Sequence, residues 1–437
     1  MTKILIIRKI LWKFVMVLTV FSLSLGLSSC ARKEQKKAPQ LFWWGDIYNQ
    51  AFARKLVQVY NSRKSSDEKI SLLTSTDYWN KLQTMLAGGA GPDIMLVDPS
   101  RLVEFSSRGV LLCLDDYKND PEYIDFQEDT WKNLKGEFTY NGHLYAVPIW
   151  TNSIGIFYNK DLFDQAGVEY PSKDWDLDEF LKKAKQLTLD TDGDGKIDQF
   201  GFGSCSSFWS ISPWGLHLVI KSFGGELYSQ DLEKCLIDTP EAIAAVRWAV
   251  ELVTKHHVAP SISESSSGRA MVSSGGIDLF RLGKVAMVRN GRWYLDVLST
   301  SKDLNWAVAP FPKGKEKVMF QVPIYMAIYS KTKYPQQSWD FIKFMISNEG
   351  QRLLVLNRTE IPVRSSIAYS QEYLTYGGRQ DANKVFLEML EYAEMPVFPP
   401  GATRWKDSAG GKLQMALMGK LPVEVACKEI AQEFLSK

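Results

Sequence analysis

The chain has 437 residues, with 52 basic and 50 acidic side chains and a formal net charge of +2 at neutral pH. So balanced a charge gives no basic surface of the kind that binds nucleic acid, and that class of partner is excluded. The length exceeds what one hydrophobic core usually supports, which predicts two domains. The 14 tryptophans are unusually many; most are expected in the core, but their number suggests that some face a ligand.

The first 29 residues have the pattern of an export signal that ends at a cysteine. Basic residues precede an uncharged, largely apolar run over 14–27, which is short for a membrane span. Leu27-Ser28-Ser29-Cys30 then resembles the bacterial lipobox, whose cysteine is diacylated and becomes the first mature residue. We expect a lipoprotein signal peptide over 1–29, lipidation at Cys30 and a polar tether over 30–40. The protein would be anchored outside the cytoplasmic membrane, on its periplasmic or extracellular face.

Strands and helices alternate along the rest of the chain, which predicts an α/β fold with mostly parallel sheets. Apolar runs between turn residues predict strands at 41–44, 70–74, 92–98, 146–149, 154–158, 285–288, 306–310 and 325–329. Apolar residues at helical spacing predict helices at 47–62, 78–86, 159–163, 176–188, 240–255, 336–347, 349–355, 382–391, 410–418 and 423–435.

Eight short motifs follow one another along the chain between about residues 40 and 435. They are Gly88–Asp98, Leu144–Pro148, Tyr158–Gly167, Trp175–Ala184, Gly224–Glu226, Lys284–Met287, Asn290–Trp293 and Ala309–Pro312. In this order, after a lipobox, they resemble the family 1 extracellular solute-binding proteins of sugar ABC transporters. Maltose-binding protein belongs to that group.

The resemblance implies a two-lobe, periplasmic-binding-protein-like α/β fold of type II, with the ligand cleft between the lobes. It predicts a first lobe of 41–150 plus about 285–329. The second lobe would then be about 151–284 plus 330–437. The implied function is capture of a mono- or oligosaccharide by closure of the lobes and delivery to the permease subunits of an ABC importer. The implied protein is a monomer and not an enzyme.

A sugar presents hydroxyl groups that need polar partners and apolar faces that need flat aromatic surface. In open α/β sheets, ligands lie outside the carboxyl ends of strands. Residues of the right types at strand ends and in loops are therefore the candidate ligand-binding residues. They are Trp43, Trp44, Asp46, Tyr78, Asp98, Trp150, Asn152, Trp209, Trp214, Arg292, Trp293, Tyr325, Arg404 and Trp405.

Several of these side chains have a structural alternative. Alternate strand residues point to opposite sides, so one of Trp43 and Trp44 is expected in the cleft and the other in the core. Asp98 could cap the helix that follows it, and Arg404 could be a surface charge. Trp79, at helical spacing with apolar neighbours, is expected in the core.

Residues 190–198 match the first nine positions of an EF-hand-type loop. Acids stand at positions 1, 3, 5 and 9, and Lys196 would contribute its backbone carbonyl; the acids are Asp190, Asp192, Asp194 and Asp198. Position 12 is Gly201 instead of the usual glutamate. Two alternatives follow, a structural Ca²⁺ site or an acidic turn held by its own hydrogen bonds. No other cofactor is predicted.

Two other functions compete with sugar transport. A lipid-anchored glycoside hydrolase would also have an aromatic sugar cleft, but it needs a pair of carboxylates about 5–9.5 Å apart. No acid pair lies in a recognisable catalytic context, and no GxSxG, HExxH or P-loop motif occurs, so no catalytic residue is predicted. A binding protein for another solute, such as an amino acid or polyamine, is the second alternative.

The remaining four cysteines, at 113, 205, 235 and 427, show no CxxC spacing. This spacing gives no sign of a zinc or redox site, and only four histidines are present to build one. Cys205 and Cys235 could pair in an exported chain.

Overall fold

The computed structural model describes residues 38–45, 47–136, 138–203, 215–261, 277–301, 303–356, 360–376 and 379–435. The predicted signal peptide and the lipidation site Cys30 lie outside these ranges. Among the described helices, none combines the length and the apolar character that a membrane crossing requires.

The described residues alternate between strands and helices, as the sequence predicts. The strands are β1 (Gln40–Trp44), β2 (Ser71–Ser75), β3 (Ile94–Val97), β4 (Thr139–Tyr140), β5 (His143–Leu144), β6 (Ala146–Trp150), β7 (Ile154–Asn159), β8 (Phe200–Gly203), β9 (Val285–Gly291), β10 (Trp306–Ala309) and β11 (Ile324–Ile328).

The helices of the first half are α1 (Ile47–Asn61), α2 (Tyr78–Ala87), α3 (Pro99–Ser107), α4 (Pro121–Asp129), α5 (Lys160–Ala166), α6 (Leu177–Gln186), α7 (Leu216–Ser222) and α8 (Pro240–Thr254). Those of the second half are α9 (Ile277–Arg281), α10 (Tyr294–Ser299), α11 (Pro335–Ile346), α12 (Asn348–Val355), α13 (Ser365–Ala368), α14 (Gln371–Leu374), α15 (Gln380–Glu391), α16 (Ala402–Leu417) and α17 (Val423–Leu435). The helix predicted at 410–418 was too short, because α16 continues through Gly410 and Gly411 in the helical conformation.

Two sheets form the framework. The first has the strand order β2-β1-β3-β11-β6, and the second has the order β10-β7-β9-β8. Pairs β1–β2, β1–β3 and β8–β9 are parallel, whereas β11 and β7 run antiparallel to both of their neighbours. The predicted α/β class is confirmed, but each sheet is mixed and not mostly parallel.

The strand grouping differs from the predicted division into lobes. That division placed all of 285–329 with the first lobe, but β9 and β10 pair with β7 in the second sheet and only β11 joins the first. Beyond β11, α11 returns to pack on β6 and β11 of the first sheet, while α16 and α17 pack on α8. An apolar strand can join either sheet, and its sequence does not state which.

The chain passes between the sheets at three places that touch one another. Residues 151–153 join β6 to β7, and residues 310–323 join β10 to β11. Val322 donates its backbone N–H to Asn152 O at 3.0 Å, and Thr151 and Ile361 exchange backbone hydrogen bonds of 2.9 and 3.0 Å. The third segment is 360–364, between α12 and α13, and we call the three hydrogen-bonded segments the crossing. A change in the angle between the sheets would have to turn about it.

A buried arginine fastens the third of these segments to the first half of the chain. The Arg364 side chain is only 1% exposed, and its guanidinium lies 2.8 Å from Glu122 and 2.7 Å from Asp125 on α4. Asp129 lies 3.6 Å away, and Arg364 Nε donates to Ile346 O at 2.6 Å. Three carboxylates and a carbonyl thus satisfy a cation that would otherwise be costly to bury.

Candidate ligand-binding site

The carboxyl ends of strands from both sheets meet at the crossing. In the first sheet β1 and β6 run in the same direction as β3, so Trp44, Val97 and Trp150 end at the same edge. In the second sheet Ile154, the first residue of β7, pairs with Gly291, the last of β9. Only residues 151–153 separate the two edges along the chain. This is the place where ligands of open α/β sheets are expected.

Four tryptophans gather at the edge of the first sheet. Ring centroids of Trp43 and Trp150 are 5.3 Å apart, Trp44 lies 6.0 Å from Trp150, and Trp44 lies 5.5 Å from Trp79. Trp43 and Trp150 are buried, whereas Trp44 and Trp79 are half-buried. We call these four the aromatic cluster. Two of its rings retain exposed surface at the strand ends.

An arginine held by an aspartate covers one member of the cluster. The guanidinium carbon of Arg101 lies 3.6 Å from the centroid of the Trp79 ring. Arg101 Nη1 lies 2.5 Å from Asp98 Oδ2, and the Arg101 backbone N–H donates to Asp98 Oδ1 at 2.9 Å. Asp98 therefore caps α3, which is the structural alternative, and the same carboxylate also orients the arginine beside the cluster.

Arg292 follows the end of β9, on the other side of the crossing. Its buried guanidinium lies 4.5 Å from the centroid of the Tyr373 ring. Its Nε donates to Asn383 Oδ1 at 3.2 Å, and its Nη1 donates to Glu360 O at 3.4 Å. Burial raises the pKa of the Tyr373 hydroxyl well above its usual value, so the ring beneath the cation is neutral. These partners hold Arg292 in one orientation.

Trp293 folds back over the end of β9. A Cβ on Gly291 would lie 2.1 Å from the Trp293 ring, so the ring rests directly against the glycine backbone. The side chain is 36% exposed. Gly291 is required here because no larger residue leaves room for the ring. Trp293 thus presents a fixed aromatic surface on the side of the second sheet.

Five of the buried polar atoms without hydrogen-bond partners among the described residues lie on the crossing or beside it, and others lie elsewhere in the fold. The five are Trp43 Nε1, Thr151 Oγ1, Asn152 Oδ1 and both amide atoms of Gln321. Asn152 uses its other amide atom to donate to the Glu360 carboxylate. Buried polar atoms are normally paired, so such a group requires an explanation.

Three candidate residues prove to be structural. The Tyr78 hydroxyl donates to Leu96 O at 2.8 Å and accepts from Leu96 N at 2.7 Å, and burial raises its pKa far above the usual value. Tyr325 is fully buried in β11. Trp405 is buried and donates its Nε1–H to Ile430 O at 3.1 Å, between the two C-terminal helices. Packing encloses the rings of these three residues, and ligand contact by them stays a prediction.

Trp79 and Arg101 belong to the candidate site but are not among the residues predicted from the sequence to bind the ligand. Trp79 was expected in the core, but it is half-buried and carries Arg101 on one face. Arg101 stands three residues after Asp98 in the first turn of α3, a spacing that could have indicated the pair. Asp46, Trp209 and Trp214 lie outside the described residues, as does the side chain of Arg404, and their roles stay predictions.

The acidic loop is closed by its own hydrogen bonds. The carboxylates of Asp190, Asp192 and Asp194 offer ligand atoms within 4.8 Å of one another. Asp190 accepts from two backbone N–H groups, at 2.7 and 2.9 Å, and Asp194 pairs with Lys196 Nζ at 2.8 Å. Hydrogen bonds from Thr191 lower the pKa of Asp198. The acidic-turn alternative describes this geometry, and calcium binding stays a prediction.

Comparison with known proteins assigns the fold to a family. Residues 45–352 match the family described as bacterial extracellular solute-binding protein. The chain belongs to this family. Because the family is one of binding proteins, the prediction of a receptor is confirmed over that of a glycoside hydrolase. Membership also confirms the resemblance drawn from the motifs, and it places the solute-binding protein outside the cytoplasm.

Individual relatives are distant but match most of the chain. The solute-binding protein is 22% identical over 355 residues to a binding protein of Brucella abortus, covering 80% of each chain. It is 24% identical over 366 residues to a maltooligosaccharide ABC transporter solute-binding lipoprotein of Streptococcus pneumoniae, covering 79% of each. An ABC substrate-binding protein from Listeria monocytogenes, solved with cycloalternan, superimposes with a TM-score of 0.81 at 24% identity. That match covers 91% of this chain and 98% of the other, and it confirms the two-lobe fold.

Proposed function

We propose that this chain is the lipid-anchored substrate-binding component of an ABC importer and binds a mono- or oligosaccharide at the crossing. The two sheets would close on the sugar, and the permease would distinguish the closed, loaded form from the open one. Such coupling requires the ligand to bind the closed arrangement more tightly than the open one.

The aromatic cluster is the observation that carries the proposal. Sugars bury their C–H faces against flat rings, and Trp44 and Trp79 keep ring surface exposed at the strand ends. Trp293 supplies a further aromatic surface from the second sheet. Arg101 adds N–H donors beside Trp79, and its position is fixed by Asp98. A sugar between the sheets would meet rings from both sides and donors at its edge.

The buried polar atoms at the crossing support a ligand rich in hydroxyl groups. A hydroxyl both donates and accepts, so it can pair with an indole N–H, a threonine hydroxyl or either end of an amide. Trp43 Nε1, Thr151 Oγ1 and Asn152 Oδ1 need such partners. These atoms are enclosed in the present arrangement, and opening of the sheets about the crossing would uncover them.

The relatives point to the same ligand class. The Streptococcus pneumoniae lipoprotein is named for maltooligosaccharides, and the Listeria monocytogenes protein was solved with cycloalternan. At about one quarter identity these names suggest a class of ligand and not a particular sugar. The lipid anchor rests on the lipobox at Cys30, and a monomer on a tether is sufficient to reach a permease.

An amino acid or a polyamine is the main alternative. A polyamine would need carboxylates free to bind cations, but Asp98 is already paired with Arg101 and Glu360 accepts from Asn152. An amino acid would pair its carboxylate with an arginine, and Arg292 already has ring, amide and carbonyl partners. Both observations favour the neutral, hydroxyl-rich ligand.

The test is titration of intrinsic tryptophan fluorescence with mono- and oligosaccharides, amino acids and polyamines, followed by chromatography of the ligand. We expect saturable binding of a saccharide that is recovered uncleaved. Trp79→Ala should weaken it by about 1 kcal/mol or more, roughly fivefold in affinity. The matched control is Trp248→Ala, since Trp248 is partly buried against Phe180 and Phe223 and lies outside the aromatic cluster.

Three results would overturn the proposal. If an amino acid or polyamine gave a saturable fluorescence change and no sugar did, the protein would bind another class of solute. Equal loss of affinity in the Trp79 and Trp248 variants would place the sugar elsewhere or indicate general unfolding. Shorter products in the chromatogram would show an enzyme.

A further inference from the structure

Three different metal-ligating side chains converge outside the candidate ligand-binding site. Cys113, Asp115 and His143 offer a thiol sulfur, a carboxylate oxygen and an imidazole nitrogen that all lie within 4.8 Å of one another. His143 Nδ1 lies 2.6 Å from Asp115 Oδ2. His143 stands 28 residues after Asp115, so the sequence spacing gave no sign of the cluster.

Backbone hydrogen bonds hold the two chain segments of this cluster in register. Leu114 N donates to Leu144 O at 2.7 Å, and Leu144 N donates to Asp115 Oδ1 at 2.9 Å. Leu112 N donates to Ile328 O at 2.8 Å, which ties the cysteine segment to the end of β11. Hydrogen bonds to Leu144 and to the end of β11 therefore hold the cysteine segment beside the histidine.

We propose that Cys113, Asp115 and His143 form a binding site for a thiophilic divalent cation such as Zn²⁺. Thiolate sulfur, imidazole nitrogen and carboxylate oxygen are the three ligand types that Zn²⁺ takes in proteins, and three protein ligands leave a fourth position for water. In tetrahedral coordination the ligand atoms are about 3.3–3.6 Å apart. The side chains reach that spacing by rotating about their own bonds, because Cys113 and His143 are exposed.

One neighbouring cation competes for the same carboxylate. Lys118 Nζ lies 2.6 Å from Asp115 Oδ1, and its side chain is 39% exposed. A divalent ion at the cluster would repel this ammonium, which can swing into solvent on its flexible stem. Removing Lys118 should therefore strengthen cation binding at the cluster. If the cluster were only a surface ion pair, removing Lys118 would weaken it instead.

This site is separate from the proposed sugar site. β6 begins next to His143 and ends at Trp150, and β11 runs back from Ile324 at the crossing to Ile328 beside the cysteine segment. A five-residue strand spans roughly 13 Å, so the cluster lies at the opposite edge of the first sheet. Its occupation and the proposed sugar binding can be tested independently.

The experiment is titration of the purified, reduced protein with Co²⁺ as a spectroscopic substitute for Zn²⁺, followed by displacement with Zn²⁺. We expect one equivalent of Co²⁺ to give a thiolate-to-cobalt charge-transfer band. Cys113→Ser should abolish the band, and His143→Gln should weaken binding at least roughly tenfold. Lys118→Met should tighten binding. Asp116→Asn, at an exposed acid next to the cluster, is the matched control and should leave the titration unchanged.

The acidic loop at 190–198 has oxygen ligands only and cannot produce a thiolate band. A band that persists in Cys113→Ser would come from another cysteine and would overturn the proposal. So would cobalt binding without a band in the unmodified protein, or weaker binding in Lys118→Met.

Discussion

Arg101 and Trp79 are packed face to face, with the guanidinium carbon 3.6 Å from the centroid of the indole ring. Asp98 holds the same guanidinium at 2.5 Å. The capping aspartate of α3 thereby fixes a cation, and the cation fixes the plane of a tryptophan in the aromatic cluster. The orientation of Trp79 thus depends on a residue of the next helix along the chain.

Arg101→Met should weaken saccharide binding. It removes the cation that covers Trp79 and leaves Asp98 without its ion pair, which we expect to cost about 1–2 kcal/mol, or roughly five- to thirtyfold in affinity. The measurement is the fluorescence titration with the best-binding sugar. Arg108→Met is the control, because Arg108 pairs with Glu104 at the exposed end of the same helix. Unchanged affinity in Arg101→Met would separate the pair from the ligand site.

Gly291→Ala should displace Trp293. The added Cβ would lie 2.1 Å from the ring, and the ring is exposed enough to swing outward. Sugar affinity should then fall and tryptophan emission should shift to the red. In a double-mutant cycle, Gly291→Ala should have no further effect on affinity once Trp293→Ala is present. Additive losses would mean that the glycine acts through the sheet and not through Trp293.

The sequence predicted local structure better than it predicted assembly. The periodicity over 47–62 and 423–435 predicted α1 and α17 closely, because apolar spacing is a local property of a helix. The run at 285–288 was correctly predicted as a strand, but its pairing with β7 depends on residues more than 100 positions away. The local composition of a strand does not determine which distant strand it pairs with.

Strand ends explain which candidate residues the structure brings to the crossing. Trp44, Trp150, Asn152 and Trp293 were chosen because ligands lie beyond strand ends, and the structure places all four there; their contact with a ligand stays a prediction. Trp405 has the same residue type, but it is enclosed by packing between the C-terminal helices, which only tertiary structure reveals. The proximity of Cys113 and His143 likewise arises from hydrogen bonds between segments about 30 residues apart, which motif spacing does not contain.

Arg364→Met should destabilise the protein without touching the aromatic cluster. The change leaves Ile346 O and three carboxylates without their common cation, and we expect a loss of about 2–4 kcal/mol in the free energy of unfolding. Arg352→Met is the control, since that arginine is 55% exposed and its pair with Glu372 should contribute less than about 1 kcal/mol. Denaturant unfolding of both variants measures the difference. Equal losses would show that burial of Arg364 contributes nothing.

Stability should fall on acidification because of His217. Burial, with Lys221 nearby, lowers the pKa of this histidine from 6.5 to about 3. The unfolded chain takes up the proton near pH 6.5, but the folded chain does not until about pH 3. The contribution is complete above pH 6.5 and is lost as the pH falls toward 3, by about 1 kcal/mol for each pH unit.

Melting temperatures between pH 7 and 4 measure this effect. His217→Phe should flatten the profile, since a phenylalanine can occupy the site beside Phe320 and Tyr228 without taking up a proton. His257→Asn, at an exposed histidine with a positive φ that asparagine tolerates, should keep the profile of the unmodified protein. An unchanged slope in His217→Phe would assign the acid sensitivity to other groups.

The most direct measurement is a crystal structure of the protein with the saccharide that binds most tightly in the fluorescence panel. We expect a sugar ring between the two sheets, stacked on Trp44 or Trp79 and hydrogen-bonded to Arg101 or to the polar atoms of the crossing. A sugar bound away from the crossing, or a crossing occupied by a ligand that is not a sugar, would contradict it.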